Sequence, residues 1–451
     1  MWFRRLLLSA LIGSLLLAWQ PGLAKAAAFT PGPRTRLLVI VPHPDDESLA
    51  GTGLIERTLH AGGQVRLVVM TNGDGFRTAA KRAFGIASPT SDDMYRLGLL
   101  RQREELAAAK KIGLTERDIL FLGYPDAGLH QLWDTHWDTT RPYRGINGHQ
   151  QVPYRLAYRR GAPYCGQSVS FDLTRVIGEF RPTDVLYPDP HDVHRDHWST
   201  SAFTQYALAK TKSAPRELTY LVHYPDYPSP RTYHPVKSLA PPARLAHIDG
   251  VRWNKQPLTA LEQSQKHTSI LTHRSQVRVM RDLLTSFVRT NELTAAYSLP
   301  QVAPLQGRGT QVFLQRSPLP HMIVCDPAHD QTAAQSSNAD LQKIGAARDA
   351  DRLWLCLEFG GSVRLGYDYA LHLRLPDSTR SRLDLYVESG RIRTMLPLLQ
   401  GEQPDLQCFG NRLLLSIPRS ALSDAQTVLL SAEVRAHGLL ADKTPWRRVR
   451  L

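Results

Sequence analysis

The sequence predicts an α/β protein: a mostly parallel, Rossmann-like sheet flanked by helices, with an antiparallel β-sandwich after it. Three observations carry this. Short apolar runs alternate with helical patterns from residue 35 onward, the β-α-β-α-β order of a parallel sheet with right-handed crossovers. Two of the apolar runs end in dense His/Asp clusters, at the strand ends where open α/β sheets place ligands. After Ser317-Pro318-Leu319-Pro320 the pattern changes to period two: Tyr369, Leu371, Leu373 and Leu375 alternate with Ala370, His372 and Arg374, as in a sandwich.

Taken in order, residues 35–44 form strand one, a continuous apolar run that suits burial on both faces. Residues 48–61 have helical spacing and stop at Gly62-Gly63. Residues 64–71 are strand two, ending in the turn Asn72-Gly73-Asp74-Gly75. A long helix covers 91–113, and strand three covers 118–122. Residues 171–180 are helical, 184–187 are strand four, 198–208 the next helix and 218–223 another strand. Residues 256–275 and 276–292 read as two further helices. Strands are expected at 353–359, 369–375, 383–387, 411–417 and 428–434.

The first residues have a different character. Arg4 and Arg5 precede the apolar run 6–19, followed by Gln20-Pro21-Gly22 and Ala24-Lys25-Ala26, the three regions of a secretory signal. The run is short for a membrane span. The expected organisation is therefore a signal at 1–26, a catalytic-type α/β domain at 27–316 and a β-sandwich domain at 321–451, in a secreted or periplasmic protein. The net charge is +14, to which Arg4, Arg5 and Lys25 contribute three. A basic chain favours anionic partners such as an anionic cell-envelope surface. No nucleic-acid motif accompanies the charge, so no nucleic acid is expected. Cys165, Cys325, Cys356 and Cys408 are too widely spaced for a zinc ribbon or redox pair, but an oxidising compartment permits one disulfide among the last three.

The chemistry concentrates in the two clusters. His43-Pro44-Asp45-Asp46-Glu47 ends strand one, and His191-Asp192-Val193-His194-Arg195-Asp196-His197 follows strand four. Both belong on one sheet edge. His43, Asp46 and a histidine of the second cluster supply the three protein ligands a catalytic zinc wants, and Asp45 stands beside them as a base. For Glu47 the reading is a helix-start carboxylate. Residues 127–169 break the α/β rhythm and carry Trp133, Trp137, Tyr143, Tyr154, Arg155, Arg159 and Arg160. They leave the ligand edge of strand three, so they are expected to form a rim or lid, with Trp133 and Trp137 stacking on sugar rings.

Together these residues resemble the PIG-L/LmbE family of N-acetylglucosaminyl deacetylases. That family carries an H-P-D-D-E motif after strand one and an H-x-D-H motif after a later strand, here His43 to Glu47 and His194 to His197. Arg101-Gln102-Arg103-Glu104, Leu122-Gly123-Tyr124-Pro125-Asp126 and Lys266 with His273-Arg274-Ser275-Gln276 match further family segments. The resemblance covers about residues 35–295; the last 130 or so residues depart from the minimal family.

The resemblance implies one Zn2+ per chain held by His43, Asp46 and His197, although iron or cobalt suits the same donors. It implies Asp45 as general base to a zinc-activated water, with His194 stabilising or protonating the tetrahedral intermediate. Metal and imidazolium would supply the positive charge that the oxyanion needs. It implies Asp196 orienting a histidine, and Arg101 and Asp126 contacting the sugar. The substrate class is an N-acetylated glycan or glycolipid. Two alternatives stand beside it: an amidase for a larger acyl amide, and a non-catalytic glycan-binding protein with a vestigial metal site.

Overall fold

Strands β1 (Arg36–Val41), β2 (Gln64–Thr71), β3 (Ile119–Tyr124), β4 (Asp184–Pro188) and β5 (Arg216–Tyr220) run parallel in the order β3-β2-β1-β4-β5. Strands β6 (Val251–Pro257) and β7 (Asn291–Tyr297) complete the sheet, β7 antiparallel to β5 and β6 antiparallel to β7. This computed structural model describes residues 29–315, 317–331, 336–364, 366–394 and 403–451. The expected signal at 1–26 lies outside them.

The sheet alternation sorts the helices into two layers. Leu37, Val39 and Val41 point to one face, where they meet α1 (Asp46–Ala50), α2 (Thr52–His60), the end of α4 (Ser91–Lys111), α8 (Ala260–Thr272) and α9 (Arg274–Thr285). Leu38 and Ile40 point to the other face and meet α5 (Leu129–Asp134), α6 (Gly166–Phe180) and α7 (Arg195–Lys210). A further helix, α3 (Arg77–Phe84), packs its alanines against Met94 and Leu97 of α4. The long α4 starts at a capping box in which Asp93 N donates to Thr90 Oγ1 and Thr90 N donates to Asp93 Oδ2. Because β1 pairs with β2 on one side and β4 on the other, the strand order reverses at β1. Such a switch point opens a crevice at the strand C-termini. Both His/Asp clusters emerge there.

The C-terminal part contains α10 (Gly309–Gln315) and two antiparallel-rich sheets. One joins β8 (Ala303–Pro304), β9 (Met322–Cys325), β10 (Leu341–Arg348), β11 (Arg352–Phe359), β15 (Asp405–Phe409) and β16 (Arg412–Pro418). The other joins β12 (Tyr367–Arg374), β13 (Arg382–Glu388), β14 (Arg391–Thr394), β17 (Thr427–Ala436), β18 (Leu439–Lys443) and β19 (Arg447–Arg450). Leu355, Leu357, Leu371, Leu373, Leu413 and Leu430 share the core between them. Strand β8 already pairs with β10, so the division expected between 316 and 321 falls inside this unit. The seam with the α/β part is buried. Trp446 and Leu429 join the cluster of Trp133, Phe203 and Tyr206. Gln205 of α7 donates to Trp446 O at 3.1 Å and accepts from Arg448 N at 3.1 Å.

Four expectations need correction. The segment 256–292, expected as two helices, begins with the end of β6 and reaches into β7, with α8 and α9 between them. Residues 127–169 do not form a lid. They cover the outer edge of β3, where Phe121 bridges to Ala157, and bury Trp133, Trp137, Tyr154 and Tyr164. Trp133 and Trp137 are core residues rather than sugar platforms: Trp133 packs edge-on against Phe203 and Trp446 at 4.8 and 5.1 Å between ring centroids. Cys325, Cys356 and Cys408 are all free thiols, as is Cys165, so none of the permitted disulfides forms.

Candidate active site

The first cluster sits on the turn from β1 into α1. Its middle residue, Asp45, has φ +125°, a backbone conformation that L residues rarely adopt. Two side chains hold it there. Its N–H donates to Glu47 Oε2 at 3.2 Å. Arg101 of α4 donates to Pro44 O at 2.7 Å and to Asp45 Oδ2 at 3.2 Å. The same guanidinium reaches Gly73 O at 3.0 Å, and a Cβ at Gly73, where φ is +64°, would overlap it. Glu47 stands in the first turn of α1, as expected, and is also a buried brace; its other oxygen lies 3.5 Å from His273 Nε2.

The turn aims His43 and Asp46 at the second cluster. Asp46 Oδ2 lies 3.3 Å from His43 Nδ1 and 3.4 Å from His197 Nε2. Asp46 Oδ2 thus stands between the expected ligands His43 and His197, and ring nitrogens of His43, His194 and His197 lie within 4.8 Å of one another. His197 is fully buried, and neither of its ring nitrogens makes a well-aligned hydrogen bond. A buried imidazole aimed at a carboxylate without hydrogen-bond geometry fits a cation held between them. Electrostatics agree. Burial works against charge on His43, yet Asp126, Asp196 and Asp46 outweigh it and hold its pKa well above the ordinary value. Burial also opposes charge on Asp46, but His197 and His43 hold it far below the carboxylate range. A divalent cation can take the place of the protons those carboxylates attract.

The second cluster follows β4. Asp192, which sequence reasoning gave no role, orients His197. Its Oδ2 lies 3.1 Å from His197 Nδ1 and accepts from His223 N at 2.9 Å and Val222 N at 3.1 Å. Asp196 does approach a histidine, with Oδ2 3.4 Å from His43 Nε2. Its stronger bonds tie down the β3–α5 turn, from Ala127 N at 2.6 Å and Leu129 N at 3.0 Å. His194 caps α7, its Nδ1 accepting from Asp196 N at 3.3 Å. That bond leaves Nε2 to carry the proton of the neutral ring. Burial, then His43 and His197, push the His194 pKa down to about 4, so the ring is neutral at pH 7. The imidazolium expected from sequence is thus replaced by a neutral donor. His223, unassigned in the sequence, lies 4.9 Å from His194 between ring centroids, tilted by 33°, and is pushed down to about 3 by burial and His197.

These groups floor a cavity of about 250 Å³. Asp45, Arg101, Asp126, His194 and His223 give it a polar side. Asp126, expected to contact the sugar, is also engaged within the site: its Oδ1 lies 3.2 Å from His43 Nε2 and its Oδ2 accepts from Gly75 N at 2.7 Å. The apolar side is Phe76 with Met280, Leu283 and Leu284 of α9. This wall was missed, although 280, 283 and 284 have the spacing of one helix face. Ala127 is the residue of 127–169 that lines the cavity. Asp45 has the pKa suited to a base: burial raises it, Arg101 opposes, and it stands at about 6.

A family model described as PIG-L: GlcNAc-PI de-N-acetylase matches residues 38–208. This segment is a PIG-L domain. Both clusters and Arg101 lie inside it, whereas the α9 wall and the sandwich lie outside. The chain is 32% identical over 181 residues to the 1D-myo-inositol 2-acetamido-2-deoxy-alpha-D-glucopyranoside deacetylase of Mycolicibacterium smegmatis, covering 40% of this chain and 55% of that protein. It is 38% identical over 173 residues to the deacetylase of the same name from Streptomyces avermitilis, covering 37% and 50%. The chain spans about half the length of these curated relatives. Among solved structures, the antimicrobial A40926 pseudoaglycone deacetylase Dbv21 aligns at 20% identity and TM-score 0.38, over 59% of this chain and 99% of that one.

Proposed function

We propose that the protein is an exported, metal-dependent N-deacetylase that removes the acetyl group from an N-acetylated amino sugar. The observation that carries this is Asp45, a strained and buried carboxylate with its pKa at about 6, beside the converging set of His43, Asp46 and His197. The matched family and the names of the two relatives support the acyl group and the sugar. His43, Asp46 and His197 would hold the cation, with zinc the default for this donor set. A divalent ion bound there acts as a Lewis acid on the amide oxygen and lowers the pKa of water beside it.

The residues divide the remaining work. Asp45 takes a proton from the attacking water, and its raised pKa lets it keep that proton and pass it to the departing amine. The products are the amine and acetic acid, which near neutral pH are an ammonium and acetate, and Asp45 is again ionised. His194 Nε2–H donates to the oxyanion as a neutral group, so it loses no charge during the reaction. Arg101 fixes the position of Asp45 through three bonds at one guanidinium. The cavity volume suits one sugar ring better than a long chain segment.

The wall of Phe76, Met280, Leu283 and Leu284 favours a second reading, an amidase for a longer acyl group. One panel separates the two. The zinc-loaded protein is given amino sugars carrying acetyl, butyryl or octanoyl amides, and the released acid and amine are quantified. Faster release of acetate supports deacetylation; faster release of octanoate supports the amidase. The secretory reading of residues 1–26 is part of this proposal, and a mature N-terminus near residue 27 on exported protein would support it.

A further inference from the structure

Outside the His43 cluster, the second unit contains a buried carboxylate with no hydrogen-bond donor among the described residues. Asp326 directly follows β9 and is 8% exposed. Its Oδ2 is buried and makes no hydrogen bond. Its neighbours are acids. Oxygen atoms of Asp326, Asp330 and Asp442 lie within 4.8 Å of one another. Asp442, on β18, is also buried, and its Oδ2 accepts from Leu341 N at 2.7 Å. Asp340 completes the ring of charge just before β10, fixed by His329 N at 2.8 Å and Gln342 Nε2 at 2.6 Å. Arg244 and His191 act on Asp330 from the α/β part, while Arg244 itself donates to His329 O at 2.9 Å.

Water cannot reach Asp326 Oδ2, and none of these neighbours donates to it. Leaving a charged carboxylate in that state is costly. Burial and the three acids around it push its pKa well above the ordinary value, which shows the same frustration. A cation relieves it. Ions of calcium's size bind oxygen at about 2.3–2.6 Å, so oxygens on opposite sides of one ion stand about 4.6–5.2 Å apart. The three carboxylate oxygens lie within 4.8 Å of one another, close enough to share one such ion. All three side-chain donors are carboxylate oxygens with no imidazole or thiol among them, which selects a hard ion over zinc. Asp330 is exposed, so one side of the cluster meets solvent.

We infer that Asp326, Asp330 and Asp442 form a Ca2+ site that ties the segment after β9 to β18 and so locks the two sandwich sheets together. The site does not depend on the deacetylase reading. The test uses the full mature chain, stripped with chelator and reloaded with one equivalent of zinc, then titrated with calcium chloride. We expect one calcium per chain by elemental analysis and a melting temperature raised by roughly 5 °C at calcium about 100-fold above its Kd. Asp330→Asn, at an exposed position, folds and weakens calcium binding by roughly tenfold or more, through loss of a charged ligand. Asp326→Asn abolishes the response and raises the melting temperature of the calcium-free protein, because it removes the unpartnered charge. His43→Ala leaves the calcium shift intact. No shift in the wild type, an equal shift in Asp330→Asn, or loss of the shift in His43→Ala would each overturn the site.

Discussion

Arg101 Nη2 lies 3.2 Å from Asp45 Oδ2 and 2.7 Å from Pro44 O, so one buried guanidinium holds both the side chain and the strained backbone of the first cluster. This gives Arg101 a positioning role beside its place in the cavity lining. Arg101→Ala should lower kcat/KM by roughly 10²-fold, because a base displaced by about 1 Å loses its alignment. It should also move the pH profile. Arg101 stabilises the ionised form of Asp45, so its removal raises that pKa further. The acidic limb of kcat/KM should shift to higher pH than in the wild type. A limb that stays in place would show that Asp45 is not the titrating base.

Asp192 gives a test of the metal site that does not use turnover. Its Oδ2 stands 3.1 Å from His197 Nδ1 and fixes the ring that presents Nε2 to Asp46. Asp192→Asn should weaken zinc about 10–100-fold in a chelator competition, the usual penalty for losing a group that orients a ligand. His43→Ala should lose the metal outright. Unchanged affinity in Asp192→Asn would mean that His197 is not a ligand.

Trp133 is a matter of stability. It is fully buried against Phe203, Tyr206 and Trp446, at the seam between the two parts of the chain. Trp133→Ala should cost about 3–5 kcal/mol in chemical denaturation and destabilise both parts. KM for long and short substrates should change equally. A selective rise in KM for long glycans would restore the sugar-stacking role.

Inside the sandwich, Glu433 on β17 gives a pH dependence with a defined sign. Burial opposes its charge, but His372 and Lys443 hold its pKa down at about 2. A depressed carboxylate contributes its stability above the unfolded pKa and loses it as pH falls through the folded value. Glu433→Gln should therefore cost on the order of 2–3 kcal/mol at pH 5.5, where His372 is also charged, and little near pH 2. The pKa of His372 is raised by Asp384 and Glu433 despite its burial, so its own contribution falls away as pH rises above 6.5. Thermal melts from pH 2 to 9 on the variant and the wild type would check both limbs.

The legible part of the fold was the part with strong periodicity. Residues 64–71 are continuously apolar at their centre and became β2 with the expected bounds. Both His/Asp clusters were found because two buried parallel strands deliver them to one edge, a relation that needs only strand order. The misses have physical causes. Strand β6 is half exposed at the sheet edge and reads VRWNKQP, without alternation, so most of it had no assignment and only Gln256 and Pro257 fell in an expected helix. Trp133 and Trp137 were read as ligand faces because a loop rich in aromatics has no period that shows which way it turns; tertiary burial against α7 decided it. The cavity wall on α9 had a helical face in the sequence, but which face meets the site is set by packing against α3 and α4. Asp192 and Asp196 stand in the same cluster, and backbone donors from β3–α5 and from the end of β5 divide their roles.

The central claim is that Asp45 acts as base in hydrolysis of an N-acetyl amide. The most direct measurement compares acetate release by zinc-matched wild type and Asp45→Asn on N-acetylated amino sugars. The account predicts one acetate and one free amine per turnover for the wild type. For Asp45→Asn it predicts the same metal content and a rate lower by about 10²-fold or more. No acetate from any such sugar with the metal-loaded wild type, or an Asp45→Asn rate equal to it, would contradict the account.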